Sequence, residues 1–178
     1  MKITTKLSAL VFAFLTIISC DALDELTEFD INDNLTTTFN VSVEEDPQSM
    51  PQSFNETTTI SITSNQEIQD NIDLIQNVSV NSMTYEISNF TGAEGAIVTE
   101  ASLNIGSSSI AVADINLQQS DTDNTVYTVA DSSTFNTIGN ALQNNTTITA
   151  SVTGTVNDTP VVFNVKVTMA ITVTIDIL

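Results

Sequence analysis

The chain has no histidine, no arginine and no tryptophan, and its 178 residues include one cysteine and three basic side chains against 22 acidic ones. Each shortage removes a class of function. With lysine only at positions 2, 6 and 166, the chain cannot neutralise a phosphate backbone, so nucleic acid is excluded as a partner. Without histidine the usual general base and the usual metal ligand are missing. One cysteine excludes an intrachain disulfide and any zinc site built from several cysteines. The five glycines are scattered, and Gly92-Ala93-Glu94-Gly95 reads as a turn rather than a phosphate loop. No G-x-S-x-G elbow occurs, and no serine has a histidine partner. A pair of carboxylates could cleave sugars without histidine. Aromatic residues make up only 6% of the chain, however, too few to line a sugar cleft. The composition reads as a non-enzyme, and the length fits one domain able to bury a core.

What is present begins with an address. Lys2 and Lys6 precede an apolar stretch from Leu7 to Ile18, broken only by Ser8 and Thr16. This is short of the about 20 apolar residues that a membrane-spanning helix needs, and it matches a secretory signal. It ends in Thr16-Ile17-Ile18-Ser19-Cys20, a branched aliphatic followed by a small residue and the single cysteine. This string resembles the lipobox of bacterial lipoproteins, with Ile17 and Ser19 where that pattern more often has leucine, alanine or glycine. The resemblance covers the signal alone. It implies diacylation of the Cys20 thiol, cleavage before Cys20 and acylation of the new amine. Two or more acyl chains give stable anchoring. Removal of residues 1–19 would leave 159 residues with 22 acids against Lys166 alone, a net charge of −21. Such a body repels anionic lipid surfaces and other copies of itself. Residues 20–34 then read as an acidic tether. Its acids directly after Cys20 resemble a surface-export signal of outer-membrane lipoproteins. A plain solvated linker, or inner-membrane retention, explains them as well.

From Leu35 onward period-two alternation dominates. Leu35, Thr37, Phe39, Val41 and Val43 share a face. Val78 and Val80 share one parity and Met83, Tyr85 and Ile87 the other, which predicts a bulge near Asn81-Ser82. Ile97 to Ile105 alternates into a turn at Gly106-Ser107-Ser108-Ser109, and Ala111, Ala113, Ile115 and Leu117 are expected to return along one face. Val126–Val129 is a short strand, and Ile148 to Val156 another. Every odd position from Val161 to Ile177 is apolar, one buried face and one wet face of an antiparallel sheet. At about 3.3 Å per residue these positions span roughly 56 Å, against a radius of gyration of about 15 Å for a globule of this size. The strand must therefore bend, cross between sheets or run along an elongated domain. An outer-membrane barrel would also alternate, but it wants aromatic girdles that are missing here.

Two windows predict helices. Ser64-Asn65-Gln66-Glu67 has the form of a capping box, with Ile68, Ile72 and Ile75 following on one face. Ser132 or Ser133 can cap a second helix with Phe135, Ile138, Ala141 and Leu142 inward, although Gly139 weakens it. Pro47 to Pro51 reads as a loop.

Carboxylates are the one abundant reactive group, and hard oxygen ligands suit calcium. Asp30-Ile31-Asn32-Asp33-Asn34 is similar to the D-x-N-D-N calcium linker of cadherins, a five-residue match. Asp121-Thr122-Asp123-Asn124 invites comparison with an EF-hand loop, but Val126 and Ser132 stand where that loop has glycine and bidentate glutamate. Asp30, Asn32, Asp33, Asn34, Asp121 and Asp123 are thus the candidate metal ligands, each with a plainer reading as tether end or turn. The expectation is an all-β protein, an antiparallel sandwich of about eight strands with two short connecting helices over residues 35–178. Its expected role is that of a non-catalytic structural or interaction module held at the cell envelope by acylated Cys20, in the outer membrane and either surface-exposed or facing the periplasm. The alternative is a calcium- or glycan-binding surface protein.

Overall fold

The computed structural model describes residues 27–46 and 51–177, so the signal segment, Cys20 and most of the Pro47–Pro51 loop lie outside the described residues. Nine strands form among them: β1 (Glu28–Val43), β2 (Gln52–Ser61), β3 (Ile75–Gly92), β4 (Ile97–Ile105), β5 (Ser108–Val112), β6 (Ile115–Asn116), β7 (Val126–Val129), β8 (Thr147–Val156) and β9 (Val161–Asp176). Three α-helices accompany them: α1 (Gln66–Asp70), α2 (Leu117–Asp123) and α3 (Ser132–Asn145). One sheet runs β1-β9-β3-β7 and the other β2-β8-β4-β5, with β6 added to β4. The pairings are antiparallel and nested: β1 with β9, β2 with β8, β3 with β7, β4 with β5. This is a long hairpin rolled up into two layers, the jelly-roll form of the β-sandwich.

Alternation drives the layering. In β9 every odd residue from Val161 to Ile175 is buried. Leu35 lies opposite Met169 and Phe39 opposite Val165, so β1 and β9 turn the same parity inward. β3 keeps pace through a register shift between Val80 and Ser82, after which Met83 pairs with Met169 and Ile87 with Val165. The predicted bulge is there, and it lets both apolar parities of β3 reach one core. β9 neither crosses between sheets nor breaks; it lies between β1 and β3 along its length. At 16 residues it exceeds the 10-residue strands β2 and β8 of the facing sheet. Helical segments help to cover the excess, since Ile62, Ile68, Ile138 and Leu142 are buried in the same core as the sheets. Phe54 and Phe163 join the layers edge to face, with ring centroids 5.7 Å apart and planes at 88°.

Several sequence expectations give way. β1 opens at Glu28, so residues 28–34 are sheet ladder rather than tether. The first helical window yields only the five-residue α1, capped by Asn65 rather than Ser64. The Asn65 side chain accepts from the amides of Glu67 and Ile68, and the Asn71 side chain closes the far end on the Glu67 carbonyl. Asparagine side chains that bond the local backbone end a short helix readily. Ile72 falls in a 3₁₀ turn and Ile75 opens β3. α3 is capped by Asp131, one residue before the expected Ser132. In the β4–β5 hairpin, Gly106 takes φ +58° and the tight turn sets Leu103 opposite Ile110. That register turns Ile110 and Val112 toward the core and leaves Ala111 exposed, the reverse of the expected parity. Leu117 is not a strand residue but the first residue of α2, capped by Asn116.

Candidate interaction surfaces

The calcium candidates do not converge. Along β1 the side chains alternate, so Asp30, Asn32 and Asn34 face outward while Asp33 takes the inward parity of Ile31 and Leu35. One ion cannot be held by carboxylates on both faces of a strand. The outward oxygens are already engaged: Thr174 donates its hydroxyl to Asp30 at 2.8 Å, and Thr172 donates to Asn32 at 2.8 Å. Asp33 accepts from the Asn34 amide at 2.8 Å. Asp121 and Asp123 sit in the last turn of α2, not in a loop between strands. Asp121 accepts from the Phe90 amide at 3.2 Å and Asp123 from the Gln119 side chain at 2.6 Å. Among the described residues no three acidic, cysteine or histidine side chains gather as a metal site would need. Cys20 lies outside the described residues.

The two outer faces differ in charge. The β1–β9–β3 face carries Asp30, Glu86 and Lys166, and Lys166 pairs with Glu86 at 2.9 Å. The opposite face is a lattice of hydroxyl and amide groups. Thr57 stands opposite Ser151, Thr59 opposite Thr149, and the Thr99 and Thr155 hydroxyls meet at 2.8 Å. Glu100, at a positive-φ irregularity of β4, is the one acid in that region. In so acidic a chain this surface is neutral because the strands of its sheet hold only two acids, Glu100 and the inward-parity Glu56.

The sheet edges are also distinguishable. β1 and β2 are long edge strands, and each carries one carboxylate of inward parity among apolar neighbours: Asp33 between Ile31 and Leu35, Glu56 between Phe54 and Ile60. An inward carboxylate on an edge strand opposes the addition of another strand, because pairing would bury the charge. β5 and β7, on the other side of the sandwich, carry no such guard. Between them lies a groove of about 320 Å³ lined by Tyr85, Ile110, Ala111, Thr128, Val129 and Asp131. Here the only two tyrosines of the chain stack, with centroids 4.9 Å apart and planes at 9°. The Tyr127 hydroxyl donates to buried Ser120 at 3.2 Å. Burial, and then the neighbouring Tyr127, push the Tyr85 hydroxyl above its ordinary pKa. Asp131 is held down to about 2 by hydrogen bonds from Ser133 and Thr134 at the start of α3. Sequence inspection passed over this groove, because the pairing of Tyr85 with Tyr127 is a matter of β3–β7 register.

Fold and surfaces together define a jelly-roll β-sandwich with guarded long edges. The chain matches no known protein family and no curated protein. Among solved structures it is similar to the 60-mer BFDV capsid protein, at 8% identity over 83% of this chain and 94% of that one, with a TM-score of 0.36. It is also similar to Desmodium yellow mottle tymovirus, at 9% identity over 84% of each chain, with a TM-score of 0.27. Likeness at this level carries nothing about function.

Proposed function

We propose that this chain is a lipid-anchored protein of the bacterial cell envelope that presents a non-catalytic jelly-roll domain to protein or glycan partners. The observation that carries the reading is the order Lys2, Lys6, apolar stretch, Ser19-Cys20, with the single cysteine eight residues before the first strand residue, Glu28. Eight residues reach at most about 28 Å, so an acylated Cys20 keeps the sandwich close to its bilayer. The acids Asp21, Asp24 and Glu25 resemble a surface-export signal, and on that resemblance the reading places the domain on the outer membrane facing outward. Perturbed protonation often marks active sites. Here the shift at Tyr85 comes from burial and then the neighbouring Tyr127, and that at Asp131 from hydrogen bonds of Ser133 and Thr134 at the start of α3.

Intact-mass analysis of the mature protein tests the anchor. The expected result is an acylated N-terminal Cys20, lost in Cys20→Ala; a free thiol or another mature start overturns it. Protease added to intact cells tests the orientation. Cleavage alongside a surface control supports outward display, and protection reverses it. A glycan partner is the second reading, favoured by the groove beside the tyrosine pair, where an aromatic body meets hydroxyl neighbours. Binding on a glycan array that is lost in Tyr85→Ala would support it.

A further inference from the structure

Among the described residues six large apolar side chains remain exposed, and four of them belong to one end of the sandwich: Phe29 (37%), Ile72 (37%), Leu74 (41%) and Ile177 (58%). Strand pairing brings them together. Ile175 lies opposite Phe29 on one side and opposite Ile75 on the other. Neighbouring strands are about 4.8 Å apart, so this row is about 10 Å wide. Leu74 directly precedes Ile75, and Ile72 lies in the same 3₁₀ turn. Ile177 follows Ile175 by two residues, and its amide donates to the Thr27 carbonyl at 3.2 Å. Phe29 and Ile177 continue the inward parity of Ile31 and Ile175 to the end of the sheet, where they are only partly covered. Scattered apolar residues on a surface need no explanation, whereas several gathered at one place do.

This end is where β1 begins. The chain enters it from Cys20 across residues 21–27, a segment too short to carry the rim far from whatever Cys20 is fixed in. We propose that Phe29, Ile72, Leu74 and Ile177 form a membrane-contact rim that enters the interfacial layer of the bilayer holding Cys20 and sets the orientation of the sandwich on it. The inference deepens the lipoprotein reading and rests on it. Acyl chains hold the rim at the surface, so no separate association step is needed and burial of the four side chains acts directly on orientation. Glu28, Asp30, Asp73 and Asp176 flank the rim. Their charge disfavours anionic headgroups, so the surface it fits is rich in zwitterionic lipid.

The lack of tryptophan makes the test clean. Leu74→Trp places a single fluorescent reporter in the rim of the acylated protein, reconstituted in phosphatidylcholine vesicles with brominated acyl chains. Ile177→Trp is the second reporter if the first variant folds poorly. The control is Val162→Trp, exposed at the other end of β9 and roughly 46 Å from Asp176 at about 3.3 Å per residue. Strong quenching of the rim reporters with an unquenched control is expected, and it should weaken as phosphatidylglycerol is added. No quenching while mass analysis shows acylated Cys20 overturns the rim and leaves the anchor standing. An unmodified Cys20 overturns both. Short-wavelength emission that is the same in a Cys20→Ala chain lacking residues 1–19, without vesicles, means that residues 21–26 cover the rim, and this too overturns the proposal.

Discussion

Gly139 of α3 rests directly on the Val78 carbonyl of β3, so closely that a Cβ at position 139 would overlap it. Helix propensity alone says that alanine there stabilises by up to about 1 kcal/mol. The contact says the opposite, because overpacking a tight interface costs about 1–3 kcal/mol. Gly139→Ala is therefore expected to lower stability in denaturant unfolding. A rise would show that α3 does not sit this close.

Lys166, the only cation downstream of Cys20, forms an ion pair with Glu86 whose two side chains are 45% and 32% exposed. Exposed pairs contribute about 0–1 kcal/mol. Lys166→Thr should change unfolding free energy by less than about 1 kcal/mol despite removing the last positive side chain. A larger loss would mean that the strip around Lys166 and Glu86 matters more than its exposure implies.

Glu56 guards β2 by placing a carboxylate of inward parity in the middle of an edge. Glu56→Val removes the one charge from the inward row of Phe54, Thr58 and Ile60. Sedimentation should then show larger species at concentrations where the unaltered chain shows none, together with higher thermal stability. An unchanged mass distribution would mean that Asp33 on neighbouring β1 suffices, and the Asp33→Val, Glu56→Val pair would decide that point.

Two groups with shifted protonation predict pH-dependent stability. Asp131 titrates at about 2 in the fold, against an ordinary value of about 3.9. Its contribution is complete above the ordinary value and is lost as pH falls from about 4 through about 2. Asp131→Ala should lower the melting temperature at neutral pH and flatten that acid loss. Tyr85 is raised, so the fold disfavours its ionised form, and stability falls as pH rises past the ordinary tyrosine value of about 10. Tyr85→Phe should reduce the alkaline loss. Melting curves across pH check both signs.

Calcium should not act as a ligand of the domain. Its candidate ligands lie on opposite faces of β1 or are engaged in α2. Adding calcium, or removing it with a chelator, is expected to leave the melting temperature where it was. A rise that saturates with calcium would contradict the strand-parity argument.

Legibility followed the range of the interactions. Alternation in Val161–Ile177 announced β9, and the parity change between Val80 and Met83 announced the bulge of β3, because which face is buried is written every second residue. The β5 parity was not legible, since Ala111 and Ile110 are both apolar and only the turn at Gly106 chooses between them. The break after α1 was missed because Ile72 and Ile75 keep helical spacing while Asn71 ends the helix. The start of β1 is not legible because Asp30, Asn32 and Asn34 have the composition of a solvated linker, yet in a ladder they form an outer strand face.

By itself, then, the sequence determined an acidic, cation-poor, antiparallel sandwich: charge counts and period-two burial are local properties of the chain. The tertiary structure decided the rest. Pairing β9 with both β1 and β3 brought Phe29, Leu74 and Ile177 to one end, pairing β3 with β7 stacked Tyr85 on Tyr127, and the edge positions of β1 and β2 turned Asp33 and Glu56 into guards. Each of these joins residues distant in sequence, and only the pairing register of the rolled hairpin brings them together.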